Sequence, residues 1–125
     1  MLEHSYLVAF FKGFAFTQAV EIPVVWYLLS RNFRQIGKIV IHRRIIASAF
    51  FANMATLPYL WFVYPELLDY TSSVVLGEAT ALVAEALFYY LILGVPLRVA
   101  AFTSFAANSC SVLIGLLIMP PFGGR

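Results

Sequence analysis

Charge is what this sequence has least of. Only 11% of its 125 residues are Asp, Glu, Lys or Arg, against about a quarter in a soluble globular domain. That shortage excludes a water-facing surface over most of the chain. The basic excess, eight Lys and Arg against six Asp and Glu, is too slight to hold a nucleic-acid backbone. Cysteine is nearly absent: Cys110 stands alone, so no internal disulfide can form. It lies in an apolar stretch between Ser109 and Ser111, where a thiol is inert. The two histidines, His4 and His42, fall on opposite sides of the first apolar run, which excludes a His pair as metal ligands or relay. No Gly-rich phosphate loop, HExxH or GxSxG occurs. The expectation is a protein with no cofactor, no metal and no enzymatic activity.

What is present is apolar. Hydrophobic residues make up 62% and aromatics 17%, with mean hydropathy +0.89. Four runs emerge, at about residues 7–29, 45–64, 74–93 and 99–118, and about 20 residues suffice to cross a hydrocarbon core of about 30 Å. The first is too long for a signal-peptide core and lacks a basic start, since Glu3 and His4 precede it, so it reads as a retained helix. The fold class expected is therefore an all-α integral membrane protein, a single domain over residues 1–125 built as a four-transmembrane-helix bundle.

Arg31, Arg34, Lys38, Arg43 and Arg44 lie between the first two runs and Arg98 between the last two, whereas the other side carries Glu3, Glu66, Asp69 and Arg125. The positive-inside rule then places the basic loop 30–44 in the cytoplasm and both termini outside, as in a bacterial inner membrane. Within that loop Arg31, Arg34, Gln35, Lys38 and His42 share one helical face and Phe33, Ile36, Ile39 and Val40 the other. Two forms fit: a short amphipathic helix on the cytoplasmic surface, or an extension of the second span. In either, Arg31, Arg34, Lys38, Arg43 and Arg44 contact lipid headgroups, at about 1 kcal/mol each near anionic lipid. The turn at Gly94–Arg98 makes the last two spans antiparallel neighbours.

Each run also holds polar residues at a depth where they are costly. Glu21, Asn53, Glu85 and Asn108 fall near the four centres, and such groups cost roughly 2.5–3.5 kcal/mol unless they face one another. Thr56 and Ser111 lie one turn from the asparagines, and Glu78 lies seven residues before Glu85 on the same face, about 10 Å away along the axis. Small residues accompany them: Gly13 and Thr17, Ala49, Gly77 and Ala81, Ser104 and Gly115. These stripes predict close helix packing, with Gly115 facing a neighbour. Pro23 and Pro58 each remove a backbone donor inside a span.

Placing Asn53 over Asn108 aligns Phe50-x-Ala52-Asn53-x-x-Thr56 with Phe105-x-Ala107-Asn108-x-x-Ser111, and each half carries an earlier mid-span glutamate. Such a match fits two helical hairpins forming a parallel repeat about an axis along the membrane normal. Glu21-x-Pro23, Asn53-x-x-Thr56-x-Pro58, Glu78 with Glu85, and Asn108-x-x-Ser111-x-x-x-Gly115 together resemble small four-span bacterial inner-membrane proteins of unassigned activity. The resemblance implies a bacterial inner membrane and no mechanism.

Two functions follow as expectations. One is a non-catalytic accessory subunit, packed through its apolar helices against other membrane subunits or copies of itself, in which Glu21, Asn53, Glu85 and Asn108 lock the bundle. The other is a small carrier or channel for protons, cations or small solutes that uses the glutamates. The bilayer is a partner in both, and nucleic acid in neither.

Overall fold

The computed structural model describes residues 4–118. It contains five α-helical segments, α1 (His4–Gln35), α2 (His42–Pro58), α3 (Tyr64–Leu67), α4 (Tyr70–Leu93) and α5 (Leu97–Ile118), with a π-helical stretch at Tyr59–Val63 joining α2 to α3. Four continuous helices, His4–Gln35, His42–Leu67, Tyr70–Leu93 and Leu97–Ile118, are long and apolar enough to cross a membrane. The fold is an all-α membrane bundle in which α1, α2, α4 and α5 form a closed ring, each packed on two antiparallel neighbours. The protein is thus a multi-pass membrane protein, with one end of the bundle basic and the other acidic.

The helices end where their sequence makes them end. At the basic end α1 stops at a left-handed glycine, Gly37 with φ 73°. The Gly37 amide donates to Arg34 O at 3.1 Å and the Lys38 amide to Phe33 O at 2.9 Å, the paired bonds of a Schellman cap. This corrects the expectation for residues 30–44. Arg31 and Arg34 extend the first helix, residues 38–41 are non-helical, and Arg43 and Arg44 open α2. Neither a separate amphipathic helix nor a long extension of the second span exists, because a glycine in the left-handed region breaks the periodicity between the two basic groups. The Trp26 indole donates to His42 Nδ1 at 2.8 Å across this corner. Arg44 reaches the last turn of α4 and donates to Ile92 O at 2.8 Å. Gly94, with φ 69°, ends α4 in the same left-handed manner as Gly37 ends α1.

At the acidic end two prolines reshape the second span. The π-helical stretch begins directly after Pro58, and its Tyr64 amide donates to Tyr59 O. Pro65 has no N–H to offer Trp61 O, four residues earlier. The Tyr6 hydroxyl of α1 donates to that carbonyl instead, so a defect in one helix becomes a bond between two. Phe10, Phe14, Trp61 and Phe62 gather around the same point with ring centroids 4.8–6.1 Å apart. Tyr64 and Thr80 join their hydroxyls at 2.9 Å, tying α3 to α4. Asp69 caps α4 by accepting from the Ser72 amide at 3.3 Å.

Between the ends, alanines and larger aliphatic residues fill the ring: Val25, Leu29, Ile45, Ala49, Ala86, Ala100 and Ala107 are all buried. Leu91, Leu117, Phe11 and Phe102 face outward, as expected for helices whose solvent is hydrocarbon. Two glycines sit where a side chain would not fit. A Cβ at Gly77 would lie 2.9 Å from Leu60 Cγ, and one at Gly13 would lie 2.9 Å from the Trp61 ring. Gly115 differs from expectation. A Cβ there would meet only Phe16 Cε1, at an ordinary 3.6 Å, so its small size is not required by a neighbouring backbone.

Two outcomes follow. Gly77→Ala should lower the detergent melting temperature through overpacking of about 1–3 kcal/mol, while Gly115→Ala should leave it unchanged; equal effects would refute this packing. For Asp69, the hydrogen bonds from Ser72 hold the carboxyl below its ordinary range. The cap is therefore fully effective above the ordinary carboxylate pKa and is lost as pH falls through the depressed value. Asp69→Asn, which keeps an acceptor but cannot titrate, should remove that part of the acid-dependent fall in melting temperature, whereas Asp69→Ala should lower melting at neutral pH.

Candidate functional site

The site is a polar layer in an otherwise apolar ring. Glu21 comes from α1, Asn53 and Thr56 from α2, Glu85 from α4, Asn108 and Ser111 from α5. Glu21 and Glu85 are 2% and 1% exposed, and Asn53 is 1% exposed. At that burial in a bilayer, every lone pair and N–H must find a partner inside the protein.

The partners are found across the ring. Thr56 Oγ1 donates to Glu85 Oε2 at 3.2 Å. Ser111 Oγ donates to Glu21 Oε2 at 2.8 Å. Each hydroxyl thus serves the glutamate of the other hairpin, Thr56 of the first serving Glu85 and Ser111 of the second serving Glu21. Asn108 Nδ2 donates to Glu85 Oε1 at 3.0 Å. The Asn53 amide stands 3.0 Å from Glu21 Oε1 and 3.1 Å from Glu85 Oε2. These pairings follow the alignment of Glu21 with Glu85, Asn53 with Asn108 and Thr56 with Ser111.

Asn53 is placed so that its orientation depends on the carboxyls. Turned one way, Nδ2 donates to Gln18 Oε1 at 3.0 Å and the amide oxygen faces both glutamates, an arrangement satisfied when a carboxyl carries a proton and donates it. Turned the other way, Nδ2 donates to both carboxylates, an arrangement satisfied when they are ionised. In that orientation the Asn53 oxygen meets Gln18 Oε1, so Gln18 must turn as well, at the expense of its 3.2 Å bond from Nε2 to Phe50 O. The Asn53 and Gln18 amides thus link the carboxyl pair to the backbone of α2 at Phe50.

Glu78 joins the layer from the acidic side. It is partly exposed and lines a small cavity of about 40 Å³ together with Glu21, Asn53, Glu85, Asn108 and Ser111. It also lines a wide cavity of about 550 Å³ at the acidic end, bounded by Tyr6, Trp61, Pro65, Tyr70 and Ser73. A lateral groove of about 370 Å³ between α4 and α5 reaches Glu78 and Asn108 as well. Among the described residues no other glutamate lines more than one of these three spaces. Toward the basic end, one turn beyond Glu85, Tyr89 is fully buried. Among the described residues, four side chains keep a buried polar atom with no hydrogen-bond partner: Ser30, Asn32, Tyr89 and Thr103. All four lie in the basic half of the bundle. No group of three His, Cys, Asp or Glu among the described residues converges closely enough to hold a metal ion.

The residues expected from the sequence therefore divide in two. Glu21, Asn53, Thr56, Glu85, Asn108 and Ser111 meet in one layer with Glu78 at its margin, while Arg31, Arg34, Lys38, Arg43 and Arg44 are spread over the exposed basic end. Gln18 is an addition. It is 8% exposed and bonded to Asn53, and its position three residues before Glu21 places it on the same face of α1. Ser104, expected on the packing stripe of the fourth span, is fully buried and donates to Leu82 O at 2.9 Å. No family model, curated protein or solved structure matches this chain, so the reading of the site rests on its own geometry.

Proposed function

We propose that the bundle carries protons across a membrane through its carboxyl layer. The observation that supports this most is the position of Glu78, which lines both the wide cavity at the acidic end and the small cavity shared with Glu21 and Glu85. A proton entering at the acidic end would pass from Glu78 to the central pair. The Asn53 amide lies within hydrogen-bond reach of both central carboxyls, and Tyr89 stands next toward the basic half. The central cavity has room for water, which needs about 10–15 Å³ of such space, but not for an organic solute. Each transfer moves a proton from one oxygen to another, so no covalent intermediate and no cofactor is involved.

An accessory subunit is the leading expectation from sequence alone, and the hydrogen-bonded layer would serve it as a lock. A lock, however, does not call for three acids. Asparagine, serine and threonine join membrane helices at about 0.6–2 kcal/mol per bond without the insertion cost of a carboxyl. Three glutamates on one small cavity favour a titrating role. We place the chain in a bacterial inner membrane with the basic end cytoplasmic, on the positive-inside rule and the resemblance to small four-span bacterial proteins.

The test pairs folding with flux. In liposomes carrying a pH gradient, the purified chain should pass protons faster than empty vesicles do. Glu85→Gln should keep the wild-type melting temperature, because an amide still donates and accepts, yet abolish the flux; Glu78→Gln should slow it. Glu85→Leu should instead weaken the fold by about 1–3 kcal/mol for each partner stranded. Wild-type liposomes no leakier than empty ones, together with co-purification of a partner in fixed ratio, would establish the subunit reading instead. Orientation is checked separately: reporter fusions should place Lys38 in the cytoplasm and Arg125 outside, and the reverse pattern would overturn the assignment.

A further inference from the structure

We propose that the groove between α1 and α5 at the basic end is a specific site for one anionic phospholipid. Its phosphate would lie between Arg31 and Arg98, and an acyl chain along Leu28 and Phe102. The inference is independent of what the carboxyl layer carries.

The groove has a volume of about 400 Å³ and takes residues 28, 31, 32 and 35 from α1 and 98, 99, 102 and 103 from α5. Those spacings are one face of each helix, so the groove runs along the seam where the two helices meet. Its polar end holds two guanidinium groups and no acid. Among the described residues neither Arg31 nor Arg98 has an ion pair or hydrogen bond, unlike Arg44, which is engaged with Ile92 O. The first turn of α5 also begins here, at Leu97, adding the positive end of a 22-residue helix to the two arginines.

Two of the unpartnered buried polar atoms belong to residues that line the same groove. Thr103 is 1% exposed, lines the groove, and its hydroxyl has no partner. Asn32 lines it too, with an unpartnered buried oxygen. A hydroxyl at that depth is costly unless something bonds it. Phosphate and glycerol oxygens supply both acceptors and, through the headgroup hydroxyls of a glycerol-type lipid, donors. The remaining wall is apolar, formed by Leu28, Val99 and Phe102, and Phe102 is 60% exposed on the lipid-facing surface. A free phosphate would use the arginines and leave that wall bare, whereas a phospholipid uses both ends. The fit is of the kind seen in basic pockets between membrane helices. It differs from the diffuse attraction expected of Arg34, Lys38 and Arg43, which stand exposed outside the groove.

The test is lipid retention measured by native mass spectrometry on the full chain in mild detergent, with phosphatidylglycerol and phosphatidylcholine supplied in equal amounts. Wild type should retain one phosphatidylglycerol per chain in preference to phosphatidylcholine by about tenfold or more. The double variant Arg31→Gln/Arg98→Gln should lose the preference, while Arg34→Gln/Arg43→Gln, with the same change in charge, should keep it. Thr103→Val, nearly isosteric, should reduce it several-fold and provides a second reading if the double variant does not fold. The proposal is overturned if both double variants lose the preference equally, which would mean general surface charge. It is overturned equally if Arg31→Gln/Arg98→Gln folds and keeps the preference, or if excess inorganic phosphate displaces the lipid, which would make the site one for a free anion.

Discussion

In hydrocarbon a polar group has no water to fall back on, and this structure is arranged around that fact. Glu21, Asn53, Glu85 and Asn108 are buried at the centre of four helices, and their partners are one another, the hydroxyls beside them, the Gln18 amide and the Ser104 carbonyl. Facing inward requires all four helices to present one stripe to a common axis. The small residues on those stripes, Ala49, Gly77, Ala81 and Ala107, let the backbones come close enough for side chains as short as Ser111 and Thr56 to reach the carboxyls. The ring closes because the polar layer closes.

The ends of the bundle solve a different problem, that of backbone groups which proline or a helix terminus leaves unpaired. At the acidic end Pro65 denies Trp61 O its usual donor and a tyrosine from α1 provides one. At the basic end Arg44 takes up the carbonyl of Ile92 near the terminus of α4. Each repair joins two helices, so local irregularities fasten the ring near its rims while the carboxyl layer fastens its middle.

Hydropathy and the placement of mid-span polar residues made the fold class and the polar layer legible in the sequence. Insertion cost leaves a buried acid few places to point. What was not legible depended on distances between helices. Gly115 lies on a small-residue stripe like that of Gly77, yet an added Cβ would crowd a neighbour at 2.9 Å at Gly77 and not at Gly115, because the stripe gives a face and not a separation. Residues 31–44 showed one-sided charge, which is a property of any helix passing through an interface, and the break at Gly37 needed its positive φ to be seen. Gln18 was hidden by its neighbour: beside Glu21 a neutral amide attracts less notice, although its position on the face made it a candidate.

The cross-pairing of hydroxyl and carboxyl has a consequence for how such a chain comes into being. Glu21 takes its hydroxyl bond from Ser111, 90 residues further along. When α1 and α2 have entered the bilayer and α5 is still to be synthesised, that bond cannot exist, and Asn53 with Gln18 is the nearest relief for the acid. The first hairpin is therefore an incomplete object, held in a lipid environment with a polar group awaiting its partner. A chain interrupted before α5 lacks the Ser111 bond to Glu21. Helix α5 thus supplies a bond to Glu21 that the first hairpin alone does not have.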